Sequence, residues 1–150
     1  MIFLFLLKKC NIFRVVIKPY HPMDNKTNSL EVPQKGNILI INTGSTTTKL
    51  GYFSDGVRVF DTKLEHTAED VAKYPSVMDQ ADMRHQAIKD FMASKGIPLE
   101  EVDIVMARGG LIVPVITGVY NVNQDMRDVL KSCRDGNHAC NLSAILADDV

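Results

Sequence analysis

The chain has 150 residues, 45% of them hydrophobic and 23% charged, and a formal net charge of -1. That is enough for one domain with a real core, and the balanced charge leaves no basic field for nucleic acid, so any anion binding has to be local. The three cysteines, Cys10, Cys133 and Cys140, are odd in number and lack Cys-x-x-Cys spacing. They offer no disulfide framework and no zinc site, and they fit a reducing, cytoplasmic compartment.

Residues 2–7 form an apolar run followed by Lys8-Lys9, and residues 12–17 form a second run broken by Arg14. Neither reaches the roughly 20 apolar residues that a bilayer span takes. A signal peptide carries its positive charge ahead of the apolar run, and here the charge follows. Residues 1–36 are read as an N-terminal extension outside the fold, with Met23 as a plausible alternative start and a polar leader after it. A peripheral membrane anchor is the alternative reading; the expectation is no membrane partner.

Ile38-Leu39-Ile40-Ile41 reads as a strand and runs directly into Asn42-Thr43-Gly44-Ser45-Thr46-Thr47-Thr48-Lys49. A strand that ends in Gly, consecutive hydroxyls and Lys is suited to phosphate. The Gly permits a tight turn and close approach, the hydroxyls and backbone N–H groups donate, and the Lys supplies charge. A Walker-type loop would place Gly immediately before the Lys and a helix after it. Here Thr48 precedes Lys49, and the following Leu50-Gly51-Tyr52-Phe53 is β-prone. Ser54-Asp55-Gly56 makes a turn and residues 57–60 a third strand, so the loop joins two strands of a meander. Taken alone, it reads equally as a Ser/Thr-rich hairpin with no ligand.

Residues 62–74 are polar and read as a strand exit with an irregular or short helical connection. Pro75-Ser76 opens a helix in which Ser76 caps, with Asp79 three residues on in capping-box style. Val77, Met78, Ala81, Ile88, Phe91 and Met92 recur at helical spacing and read as core, and Gly96 with Ile97-Pro98 ends the helix. Residues 102–106 read as a fourth strand leading to Arg108-Gly109-Gly110. Arg108 thus stands at a strand's carboxyl end, where α/β sheets bind ligands, and its guanidinium matches a carboxylate in fork geometry. The alternative for Arg108 is a surface ion pair.

Pro114 bars residues 113–116 from a central strand. Val113, Val115 and Ile116 could line an apolar pocket or equally be core. Asn123 caps a further helix with Met126, Val129, Leu130 and Cys133 inward, Lys131 and Arg134 suiting its dipole, and Gly136 ending it. A last helix is expected from Asn137-His138, with Ala139, Leu142, Ile145 and Leu146 inward and no stop signal at Val150. Cys140 reads as a small buried hydrophobe. His21, His66 and His85 form no metal motif and read as non-catalytic.

Three of these stretches carry a family resemblance. From Ile40 to Lys49 the order is two apolar residues, Asn, any residue, Gly-Ser, a hydroxyl run and Lys. This resembles the first signature of the acetate and butyrate kinases, and the threonine-rich form looks more like the butyrate kinase version. Met106-Ala107-Arg108-Gly109-Gly110-Leu111, then Pro114, Gly118-Val119-Tyr120 and Val122-Asn123, is similar to their Arg-Gly-Gly segment. His138-Ala139-Cys140-Asn141-Leu142-Ser143-Ala144 resembles their His-Ala-Ser-Asn-Leu-Gly-Ala segment. The departures, Cys140 and Ser143, fall where the family has small residues and are expected to bear on packing more than on chemistry.

The resemblance implies an α/β fold: a ribonuclease-H-like, actin-like ATPase domain over residues 37–150, truncated before its end. It implies a phosphotransferase with ATP and Mg²⁺ that phosphorylates butanoate to butanoyl phosphate. Acetate, propionate or a branched-chain acid are the competing substrates, and full-length members form homo-oligomers. By resemblance Gly44, Ser45, Thr46, Thr47 and Lys49 face the ATP phosphates, and Asn42 lies near the transferring phosphoryl group and the metal. Arg108 with Gly109 and Gly110 takes the carboxylate. His138 donates to the phosphoryl group in flight, against the alternative of a capping or packed His, and Asn141 orients it or binds substrate. No metal ligand is assigned within the chain.

Family members carry a catalytic Asp in a strand beyond the helix that begins at the His. Asp148 and Asp149 precede that point and are not assigned to the role. The 150 residues alone are therefore expected to be an inactive N-terminal portion. A non-catalytic remnant is the reading of another class, and a membrane-associated regulator using the N-terminal apolar stretch is a third.

Overall fold

A computed structural model describes residues 4–8, 35–112, 114 and 118–150. The readings placed on Cys10, His21, Met23, Val113, Val115 and Ile116 lie outside the described residues. The strands are β1 (Leu4–Lys8), β2 (Asn37–Thr43), β3 (Thr47–Ser54), β4 (Val57–Glu65), β5 (Ile104–Arg108) and β6 (Gly118–Asn121). The α-helices are α1 (Ala68–Ala72), α2 (Ala81–Ser94), α3 (Gln124–Ser132) and α4 (Asn141–Asp149). The described strands form one mixed sheet in the order β4-β3-β2-β5-β1-β6. β2, β3 and β4 are an antiparallel meander, β5 runs parallel to β2, and β1 lies antiparallel to β5 and parallel to β6.

Period-2 alternation gives this sheet two different faces. Leu39, Ile41 and Thr43 of β2, Thr48, Leu50 and Tyr52 of β3, and Val105 and Ala107 of β5 are buried. The apolar members among them share a core with Ile88 and Met92 of α2 and Leu142, Ile145 and Leu146 of α4. Burying such a side chain is worth about 1.5–3 kcal/mol, so this layer contributes much of the stability. The intervening residues, Ile40 and Asn42 on β2 and Lys49 on β3, occupy the opposite, more open face. At the β3–β4 turn Asp55 and Gly56 take φ of 48° and 78°, the left-handed pair that a two-residue hairpin needs.

Helix signals were mostly local and mostly realised. Ser76 and Asp79 bond reciprocally: the Ser76 N–H and Oγ donate to Asp79 Oδ2 at 3.0 and 2.9 Å. They frame a single 3-10 turn, Met78–Gln80, that feeds α2. Asn123 Oδ1 accepts from the Met126 N–H at 2.8 Å and starts α3.

Four expectations need correction. β4 continues through Glu65, because pairing with β3 recruits polar residues that alternate in burial. α3 ends at Ser132, and the left-handed residue beyond it is Cys133 (φ 51°) rather than Gly136. α4 begins at Asn141, about one turn after His138, because residues 138–143 first form tight i→i+3 turns. α4 is also not one-sided: residues 141–147 are all buried, since it packs against β2 and β5 as well as α2 and α3. In addition, Leu4–Lys8 lies inside the sheet between β5 and β6, within the stretch read as an extension. An apolar run of that length suits an otherwise open strand edge.

Candidate active site

The β2–β3 hairpin builds the first part of the site. Thr43 pairs with Thr48, and the Gly44 N–H donates to the Thr47 carbonyl at 2.8 Å, so Ser45 and Thr46 form a two-residue tip. Both tip residues are exposed. A Cβ on Gly44 would stand 2.8 Å from Thr47 Oγ1, which is why the corner takes glycine. The loop is therefore shorter than its motif: Thr47, Thr48 and Lys49 already belong to β3.

The strand register then collects the chemistry. Asn42 and Lys49 are direct cross-strand partners on the open face. Arg108 is the last residue of β5, one beyond Ala107, which pairs with Ile41. Asn42, Lys49 and Arg108 line one cavity of about 460 Å³, together with Ile40, Leu50, Gly51 and the β4 residues Asp61, Thr62 and Lys63. The β4 members were not anticipated. Asp61 is held by Arg58 at 3.0 Å and Lys63 by Glu65 at 2.6 Å, and the lysine keeps the Glu65 carboxyl below its ordinary range.

The third motif sits at the β5 exit rather than in that cavity's lining. Gly109 adopts φ of 101°, and a Cβ there would meet the Cys140 Cβ at 2.8 Å, so the Arg-Gly-Gly segment lies directly against the turn that leads into α4. Asn141 is fully buried and engaged at both ends of its amide. Its Oδ1 accepts from the Leu111 N–H at 2.8 Å and its Nδ2 donates to the Gly136 carbonyl at 2.9 Å. It ties Leu111, next to Gly110, to the approach of α4. His138 is exposed, and its Nδ1 accepts from the Cys140 N–H at 3.1 Å. In the neutral ring this leaves the proton on Nε2. Cys140 is half-buried rather than buried. Asp148 pairs with Arg127.

Two residues outside the motifs complete the neighbourhood. Arg84, on α2, has no exposed surface. Its guanidinium donates to the carbonyls of Ser45 (2.7 Å) and Thr47 (2.9 Å), to Thr48 Oγ1 (3.2 Å) and to Gln80 Oε1 (2.9 Å). Burial lowers its pKa from the ordinary arginine value. His66, also buried, sets Nε2 2.9 Å from Thr48 Oγ1. Burial, then the nearby Arg84, push its pKa below the ordinary histidine value, with Asp70 opposing. A charged residue inside an apolar stripe, four positions from both Gln80 and Ile88, was the readable sign of Arg84. Among the described residues no group of three or more His, Cys, Asp or Glu is placed to hold a metal ion, and no helix is long and apolar enough to cross a membrane.

A hydroxyl-rich strand–turn–strand hairpin beside a strand-end arginine, on a mixed sheet flanked by helices, defines the class as a mixed α/β domain. No family model matches the chain. It is 40% identical over 113 residues to butyrate kinase 1 of Clostridium acetobutylicum, a match that covers 75% of this chain and 32% of that protein. The chain is a homologue of butyrate kinase, and the matched region spans about a third of that relative's length.

Proposed function

We propose that the chain supplies the phosphate grip and the carboxylate clamp of a butyrate kinase, which interconverts butanoate and ATP with butanoyl phosphate and ADP. The supporting observation is that Asn42, Lys49 and Arg108, drawn from two separate motifs, line one cavity. Its volume of about 460 Å³ suits a small ligand. The β4-β3-β2 meander with β5 parallel to β2 is the arrangement expected of a ribonuclease-H-like domain.

In this reading a butanoate oxygen attacks the γ-phosphorus of ATP while the bond to the β–γ bridging oxygen breaks and ADP leaves. The carboxylate is already an anion, so no general base is required; positioning and charge neutralisation do the work. Arg108 fixes the carboxylate in a bidentate fork, with Gly109 and Gly110 admitting it close to the backbone. Ser45, Thr46 and Lys49 take the nucleotide phosphates, and Asn42 donates its amide beside the group in transfer. His138 Nε2–H is the candidate donor to a phosphoryl oxygen. Ile40, beside Gly51 on the open face, gives the cavity an apolar patch suited to a short acyl chain. Mg²⁺, if brought with the nucleotide, would offset phosphate charge, with Asn42 the residue near it; among the described residues no group of three or more His, Cys, Asp or Glu could hold the ion.

Titrating the purified chain separately with MgATP and with butanoate, followed by amide NMR shifts, tests the assignment. Lys49→Ala is expected to weaken the nucleotide and spare butanoate, and Arg108→Ala to do the reverse. Loss of both ligands in both variants, or binding of neither by the parent chain, would sink it. Turnover is expected when these residues stand in a complete butyrate kinase. Replacing the matched segment of the Clostridium acetobutylicum protein with this chain's residues, then trapping acyl phosphate with hydroxylamine, checks that.

A further inference from the structure

The hairpin tip presents its donors outward because its carbonyls are held from beneath. Ser45 and Thr47 direct their carbonyl oxygens at the Arg84 guanidinium, and the Thr46 carbonyl accepts from the His66 N–H at 2.9 Å. A trans peptide points its C=O and N–H in opposite directions. Fixing the Ser45 carbonyl inward therefore turns the Thr46 N–H toward the exposed side of the tip. All the acceptors bonded to the guanidinium are neutral: two carbonyls, a hydroxyl and an amide oxygen. A fully buried cation is costly unless it is hydrogen-bonded and offset by opposite charge. The geometry leaves a positive charge directly under the turn that meets the anion.

We infer that Arg84 is a positioning residue for anion binding: it pre-sets the Ser45–Thr46 tip with the Thr46 N–H outward and supplies buried positive charge to the bound phosphates. The inference rests on the proposed role of the tip as a phosphate grip. It accounts for features that packing alone leaves unexplained, namely an arginine in the apolar stripe of α2 and a glutamine, not a glutamate, at position 80. Gln80 orients the fork through Nε and Nη2 at 3.2 and 2.9 Å without neutralising it.

The test measures binding of inorganic tripolyphosphate and of ATP to the full chain by calorimetry, with circular dichroism to confirm folding and the Ser45 and Thr46 amide shifts as the local readout. Arg84→Gln is expected to lose roughly tenfold to hundredfold in affinity for both ligands, the scale of a few charge-assisted hydrogen bonds. Its Ser45 and Thr46 amides are expected to stop responding to ligand. Gln80→Glu is the companion variant. It keeps the fork bonded and the fold intact but neutralises the charge, and several-fold weaker binding at unchanged or higher stability is expected. A folded Arg84→Gln chain with parental affinity overturns the inference. If that variant does not fold, Gln80→Glu with parental affinity overturns it instead. If the parent chain binds neither ligand, it is the phosphate-grip reading that fails.

Discussion

Thr43 and Ser143, one hundred positions apart, face each other at 2.7 Å between hydroxyl oxygens, and Ser143 Oγ also accepts the Thr43 N–H at 3.0 Å. Thr43 Oγ1 reaches the Ala139 carbonyl at 2.6 Å. Two motifs that are distant in the chain are thereby fastened at the point where β2 enters the β2–β3 turn. At sequence level Ser143 was a departure expected to matter for packing; its hydroxyl instead closes this joint.

Removing that hydroxyl strands a buried backbone N–H. Ser143→Ala is expected to cost about 1–3 kcal/mol of stability, the penalty for an orphaned donor. A double-mutant cycle with Thr43→Val, read by urea unfolding, should show less-than-additive loss. Strict additivity would mean that the two hydroxyls act independently.

Gly109→Ala combines a positive φ with a Cβ set against Cys140. The expected cost is about 1–3 kcal/mol from strain and overpacking, together with weaker butanoate binding, because the contact displaces Arg108. Cys140→Gly in the same chain should recover part of the loss, since it removes the facing Cβ but not the strain. No recovery would place the whole cost in the backbone.

His66 makes stability depend on pH in one direction. Its native imidazole resists protonation because it is buried and lies near Arg84, despite Asp70, so its folded pKa lies below the unfolded value of 6.5. The unfolded state therefore binds more protons just below pH 6.5, and stability falls as the pH drops through that window. Above pH 6.5 the contribution is complete. His66→Gln, which can still meet Thr48, should flatten the slope of unfolding free energy below pH 6.5. An unchanged slope would assign the acid sensitivity to other groups.

Arg108→Lys keeps the charge and loses the planar fork. Butanoate affinity is expected to fall by about tenfold, on the order of one bidentate pair reduced to a point charge, with ATP affinity unchanged. Equal affinity in the lysine variant would show that charge alone is read at this strand end.

Much of the scaffold could be read from residues close together in sequence. The β2–turn–β3 path, the Asp55-Gly56 hairpin, the Ser76/Asp79 brace and the Asn123 cap each depend on side chains within a few positions of the backbone they serve. Alternation and capping are local properties, and they survive the absence of any tertiary information. The C-terminal end of α3 and the start of α4 were misplaced because Cys133 accepts a left-handed conformation that glycine was expected to take, and because tight i→i+3 turns precede the last helix.

What the sequence by itself determined was the inventory: a hydroxyl-rich hairpin ending in lysine, a strand-end arginine and a histidine ahead of a helix. The tertiary structure alone decided which of them meet. It set Asn42, Lys49 and Arg108 around one cavity through strand register, and it buried Arg84 against carbonyls 37 and 39 positions away. The physical reason is that a charge in an apolar stripe is neither core nor surface until its acceptors arrive, and those acceptors belong to a strand turn that only the packed sheet brings to the helix.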